Sequence, residues 1–287
     1  MRLGVLGFLP RRVDELVPAQ LRQLRELGFT GTGFPGGDDP ATIPTARAAE
    51  VGRMFRDEGI DLVEYGRYST TLIAPDVAAR RQNLADLREA CRVAKAAGCP
   101  AVITGAGSHN PRGAWFAHPD NYTPETLDRL IATLREAATL AEDAGVLLGL
   151  ECHTVTRLKD ARTARAVLDA VASTALRVHL DPVNWMTWET VYQSGAATAA
   201  MFDTLGAERL LGAHSKGVTV EDKMIIHLSE TVTGAPDDLF DHAALLRLAA
   251  RMPHDFYVAI EHLTPVQMPA ARDHLVRIAD QVGVGFA

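Results

Sequence analysis

Cysteine is scarce in this chain of 287 residues. It carries three, Cys91, Cys99 and Cys152, none in a CxxC pair, which is too few and too irregular for a disulfide framework. A reducing, cytoplasmic setting is the expectation. Long hydrophobic runs are also missing. Nowhere do about 18 apolar residues follow one another, and the opening MRLGVLGFLPRR holds a strand-like run too short for a secretion signal. Export and a membrane partner are therefore not expected. Positive charge is in deficit: 29 Lys and Arg face 36 Asp and Glu, a net charge of -7, whereas a phosphate-backbone partner demands a basic excess or stripe. Nucleic acid is excluded on that ground and small-molecule chemistry becomes the default. No GxGxxG follows the first strand-like run, since Gly4 and Gly7 run into Phe8-Leu9-Pro10. No Ser/Pro-rich linker divides the chain, so residues 1–287 read as one domain.

What is present is an alternation of short apolar runs with amphipathic helical patterns that continues to the C-terminus. Strand candidates begin near Leu3, Phe29, Leu62, Ala101, Val146, Leu176, Leu210 and Phe256. Between them lie helical patterns such as Pro124 to Ala144, where Leu127, Leu130, Ile131, Leu134, Ala138 and Ala141 share a face. Thr123-Pro124-Glu125 is a helix start, and Gly28, Gly59, Gly98 and Gly145 each close a helical pattern just before a strand. Eight such repeats predict a closed (β/α)8 TIM barrel in preference to an open Rossmann-type sheet.

Four metal-ligand-type side chains, Glu151, Asp181, His214 and Glu261, end the last four strand runs. In a barrel the C-terminal strand ends form the chemical face. Singly, each has a bland reading: a strand-end carboxylate serves as a helix N-cap or ion-pair partner about as often as it does chemistry, and a lone histidine is commonly a satisfied core residue. Together they are hard to explain structurally, because three buried carboxylates repel unless a cation or protons compensate. Three oxygens and one imidazole suit Mn²⁺, Mg²⁺ or Co²⁺ better than a structural zinc site. Strand alternation places Gly149, Gly212 and Ala259 beneath Glu151, His214 and Glu261, which is expected to leave room for an ion and ligand at that layer. His179, beneath Asp181, reads as packing.

The motifs LGLECH, HLDPVN, GAHSKG and AIEHL, at these intervals, resemble those of the xylose-isomerase-like TIM barrels, the sugar phosphate isomerase/epimerase family that includes ketose 3-epimerases, inosose dehydratases and endonuclease IV. The resemblance spans essentially the whole chain; it is specific for fold and metal site and loose for reaction. It implies that Glu151, Asp181, His214 and Glu261 bind the metal and that Glu151 and Glu261 also exchange the substrate proton as an acid/base pair. It also implies a carbohydrate substrate and a homo- or hetero-oligomer. The chemistry is coherent in its own right: proton removal next to a carbonyl creates an enediolate, whose charge a divalent ion stabilises as a Lewis acid.

Departures from the ketose 3-epimerase pattern point to a changed substrate shell. Asn184 stands where those enzymes usually carry histidine, and Arg157 and Val220 replace an acidic residue and an arginine. Lys216, two residues after His214, and His153, two after Glu151, are expected to reach substrate. The long segment from Gly105 to Tyr122, with Trp115, Phe116, His109 and His118, reads as a lid or binding loop. Trp185, Met186 and Trp188 read as an aromatic wall. The expected function is a metal-dependent isomerase or epimerase of a sugar or sugar derivative. The alternatives are a lyase on the same enediolate chemistry (dehydration, decarboxylation or deglycosylation of a 3-oxo-glycoside) or a barrel subunit of such an enzyme.

Overall fold

Helices form where the capping signals place them. Pro124 opens one with Thr123 Oγ1 accepting from Thr126 N at 3.3 Å, and Gly145 ends it in the left-handed region at φ 68°. Gly98 ends the preceding long helix in the same way, at φ 77°, a conformation that costs glycine nothing. In the computed structural model, which describes residues 1–253 and 255–287, the helices are α1 (Pro18–Glu26), α2 (Thr45–Asp57), α3 (Val77–Ala97), α4 (Pro124–Ala144), α5 (Ala161–Val171), α6 (Ser194–Leu205), α7 (His242–Ala249) and α8 (Met268–Gln281). No helix among the described residues is long and apolar enough to cross a membrane.

The strands are β1 (Arg2–Val5), β2 (Gly31–Gly33), β3 (Asp61–Gly66), β4 (Ala101–Gly105), β5 (Leu147–Glu151), β6 (Leu176–Leu180), β7 (Leu210–Ser215), β8 (Gly217–Val220), β9 (Leu228–Thr231) and β10 (Tyr257–Ile260). Eight of them close a barrel in the order β1-β10-β7-β6-β5-β4-β3-β2, every pair parallel. This is a (β/α)8 TIM barrel, as the eightfold alternation predicts. The outward positions Leu148, Leu150, Val178, Leu180, Val258 and Ile260 are at most 1% exposed and meet the helical ring, whose burial supplies most of the fold's driving force.

One element lies outside the repeat pattern. β8 and β9 form an antiparallel hairpin after β7; each strand has only 4 residues, too short a span to announce a strand pair in the sequence. Asp238 anchors this excursion: Oδ1 accepts from Val218 N and Phe240 N at 3.1 and 3.0 Å, and Oδ2 from Gly234 N at 2.8 Å. His242 Nε2 completes the set 2.8 Å from Oδ2.

Ladder register sets the height of each candidate ligand. His179 pairs with Gly212 across β6 and β7, and Ala259 pairs with His214 across β7 and β10. Two residues further along, Asp181, His214 and Glu261 therefore emerge at the C-terminal rim, beside Glu151 at the end of β5. The space at Gly149 and Gly212, where the sequence predicts room for an ion and ligand, is taken up by neighbouring side chains. A Cβ on Gly149 would meet Ile103 Cδ1 at 2.5 Å and Leu211 Cδ2 at 3.0 Å, and one on Gly212 would meet His179 Cε1 at 3.2 Å. The glycines make space for neighbouring side chains of the lumen.

Candidate active site

Glu151, Asp181, His214 and Glu261 converge so that one ligand-type atom from each lies within 4.8 Å of the others, all four side chains being buried. His214 is at the centre, its Nδ1 3.2 Å from Glu261 Oε2, 3.8 Å from Glu151 Oε2 and 4.0 Å from Asp181 Oδ2. Neither ring nitrogen of His214 makes a hydrogen bond among the described residues. Two orphaned nitrogens among crowded carboxylates, at these spacings, fit a divalent cation.

The electrostatics carry the same signature. Burial, only partly offset by His214 and augmented by Glu261 and Asp181, pushes the Glu151 carboxyl up to about 8. Burial likewise raises Asp181 to about 6 against the pull of Lys216. Burial acts upward on Glu261 too, yet His214 and Lys216 overcome it and hold that carboxyl well below the ordinary range. His214 rises well above its usual value although burial opposes its charge, because Glu261, Glu64 and Glu151 surround it. Protons held on these groups limit the negative charge of the site, and a cation bound there would displace them.

Lys216 is 3% exposed, with Nζ 2.7 Å from Asp181 Oδ2, 3.1 Å from Glu261 Oε1 and 2.9 Å from Glu230 Oε1. Asn184 Nδ2 donates to Glu151 Oε1 at 3.0 Å, so this departure from the epimerase pattern touches a candidate ligand directly. His153 Nδ1 accepts from Val155 N at 3.1 Å, which leaves the ring proton on Nε2, and burial holds its pKa down at about 4. Trp115 stands over Gly105, where a Cβ would meet its Cη2 at 2.8 Å. Asn121 ties the rest of the long β4–α4 segment down by donating to Val155 O at 2.8 Å.

These residues line two adjoining cavities. One of about 280 Å³ is bounded by Glu151, His153, Asn184, Lys216 and Trp115. The other, of about 750 Å³, shares Tyr68, Trp115, Glu261 and His262 and extends to Leu9, Arg11, Phe34 and Arg67. Trp185 lines neither and is no part of a substrate wall: its indole Nε1 donates to Leu158 O at 2.9 Å and the ring is buried. Met186 is buried as well, and Trp188 is exposed.

Four residues of the site escape a reading by strand ends. Glu64 and Tyr68 lie at and beyond β3, with Tyr68 Oη donating to Glu64 Oε1 at 2.7 Å. The available signal for Glu64 was a lone carboxylate inside the apolar run Leu62-Val63-Glu64-Tyr65. Glu230 comes from the hairpin; against burial, His262 and Lys216 hold it down at about 2. His262 adopts φ 58°, a left-handed conformation rare for histidine, which sets its Nδ1 2.8 Å from Glu230 Oε2. Nothing local in the sequence marks the Glu230–His262 pair.

The xylose isomerase-like TIM barrel family model matches residues 21–278. No curated protein matches the sequence. Among solved structures, a xylose isomerase-like TIM barrel protein from Mycobacterium smegmatis in complex with magnesium superposes with a TM-score of 0.72 at 18% identity, over 98% of this chain and 97% of that one. D-psicose 3-epimerase from Clostridium cellulolyticum H10, solved with D-tagatose, gives 0.71 at 12% identity, over 99% and 100%. A 3-keto-D-glucoside 4-epimerase from E. coli gives 0.68 at 16%, over 98% and 99%. At these identities the likeness is one of fold.

Proposed function

Because the chain belongs to the xylose isomerase-like TIM barrel family, we propose that it is a divalent-metal-dependent isomerase or epimerase of a sugar or sugar derivative. The observation that carries this reading is the convergence of Glu151, Asp181, His214 and Glu261 at the barrel rim, open to a cavity. Mn²⁺ suits the three-oxygen, one-nitrogen set best, with Mg²⁺ and Co²⁺ as alternatives. The chemistry such an ion supplies is Lewis-acid stabilisation of the charge that develops on an enediolate.

The chain's own groups do the rest. Glu151 and Glu261 take and return the substrate proton, and Asn184 orients Glu151 through its Oε1. Lys216 lowers the negative charge beside Asp181 and Glu261 and presents an ammonium to a substrate oxygen. His153, neutral with its proton on Nε2, donates to a hydroxyl, while Trp115 covers the apolar face of the ring. Each acid/base contribution of this kind is worth about 10²- to 10⁴-fold in rate.

The test is solvent exchange. Incubation with candidate ketoses and oxidised sugars in D₂O with Mn²⁺ is expected to place deuterium at one substrate carbon, with loss on chelation and recovery on adding metal. Absence of exchange together with indifference to chelation would sink the proposal. A second reading is supported by the larger cavity, which runs past Glu261 to Phe34 and Leu9 and has room for a group attached to the sugar. In that case enolate formation expels an aglycone, and release of that group from a 3-oxo-glycoside is the readout.

A further inference from the structure

One layer below the candidate ligands lies a second set of buried polar groups that the proposed reaction does not use. Glu64 reaches from β3 across the lumen towards β6 and β7, 2% exposed. Its Oε2 lies 3.5 Å from His179 Nε2 and 3.7 Å from His214 Nε2. That oxygen and both nitrogens of each histidine make no hydrogen bond among the described residues. The His214 ring therefore stands between two acidic groups: Nδ1 faces Glu151, Asp181 and Glu261, and Nε2 faces Glu64.

A neutral imidazole has one N–H and one lone pair, pointing in diverging directions, so the partner on one side decides what is offered on the other. With the proton on Nδ1, the ring would aim an N–H at three carboxylates and have no lone pair for a cation there. Resting on the reading that Glu151, Asp181, His214 and Glu261 hold a cation, we infer that Glu64 is a positioning residue that accepts the Nε2 proton of His214 and so presents its Nδ1 lone pair to that cation. Carboxylates on the far side of metal-bound imidazoles act in this way generally, fixing tautomer and ring orientation.

The surroundings of Glu64 suit an acceptor. Tyr68 supplies a hydroxyl to Oε1 at 2.7 Å. His179 packs its ring 4.3 Å from that of His214 and sets its Nε2 3.5 Å from Glu64 Oε2. Glu64, His179 and His214 are also spaced to hold a cation of their own. That use requires His214 to bind through Nε2, and occupation of both sites requires the ring to lose both protons. Acceptance of the Nε2 proton requires neither.

The experiment compares wild type with Glu64→Met and Glu64→Gln, measuring Mg²⁺ and Mn²⁺ binding by calorimetry, ion stoichiometry, and His214 ring ¹⁵N shifts in the Mg²⁺-loaded protein. Wild type is expected to bind one ion with a protonated Nε2 and a ligating Nδ1. Glu64→Met should weaken binding about 10- to 100-fold and alter the His214 shifts. Glu64→Gln, which keeps an acceptor oxygen, should recover part of the affinity and the wild-type tautomer; should the methionine variant not fold, the glutamine variant carries the test through a smaller affinity loss. Unchanged affinity and unchanged His214 shifts in folded Glu64 variants overturn the inference. Two ions in wild type and one in the variants overturn it too, by making Glu64 a ligand. Failure of wild type to bind any ion fails the cation-site reading itself and takes this inference with it, whereas a failure specific to Glu64 appears only in the variants.

Discussion

The Nζ of Lys216 lies 2.7 Å from Oδ2 of Asp181, with both side chains buried. An ammonium in that position already neutralises part of the candidate ion site, and Glu261 and Glu230 share it. Removing one partner of a buried ion pair typically costs about 3–5 kcal/mol, because the other charge is stranded. Lys216→Met is therefore expected to lower the denaturation midpoint of the metal-free protein substantially, and added Mn²⁺ should restore more stability to the variant than to wild type. Thermal melts with and without metal check this; an equal metal response in both proteins contradicts it.

Glu151→Gln and Glu261→Gln preserve size while removing a carboxylate. Each is expected to reduce turnover about 10²- to 10⁴-fold and to weaken ion binding, measured by isotope exchange and calorimetry on the same preparations. Loss of binding with unimpaired exchange would reassign the proton transfer to other groups.

Gly105 and Trp115 form a steric pair, since a Cβ at residue 105 would lie 2.8 Å from the indole. Gly105→Ala should displace Trp115 from the cavity, and Trp115→Ala should empty the same space. Both variants are expected to raise KM more than they change kcat, with little change in melting temperature. A fall in kcat alone would place Trp115 away from the bound sugar.

Asp238, which anchors the hairpin carrying Glu230, offers a pH test. Burial acts upward on its carboxyl, but His242 and the backbone N–H groups of Gly234 and Phe240 outweigh it and hold the pKa below the ordinary 3.8. A folded-state value below the unfolded one means that the unfolded chain binds the proton more readily. The stabilisation is thus complete above the unfolded pKa and fades as pH falls through the lowered value. Asp238→Asn should be less stable than wild type at about pH 7, with the difference shrinking at about pH 3. Denaturant titrations at both values decide it; a gap independent of pH would mean that the charge is irrelevant to the anchor.

Much of the barrel was legible locally. Period-2 and period-3.6 patterns, Thr123-Pro124 and the glycines at 98 and 145 are short-range signals, and the elements they specify are found within a residue or two of their expected bounds. The hairpin was not, because its strands are short and its anchor, Asp238, works through backbone groups distributed from Val218 to Phe240. Trp185 was misread for a related reason: an aromatic residue after a strand can face the cavity or the core, and the carbonyl of Leu158, 27 residues earlier, draws it to the core.

By itself the sequence determined the eight repeats, the parallel barrel they imply and the four strand-end side chains suited to a cation, because strand direction and side-chain alternation follow from the chain alone. Only the tertiary structure decided what stands across the lumen from what. Glu64 faces His214 from β3, Lys216 turns to Asp181 and Glu261, and the glycines beneath the rim are filled by Ile103, Leu211 and His179. Barrel closure and ladder register bring these residues together from distant strands, and no local pattern encodes a distance across a lumen.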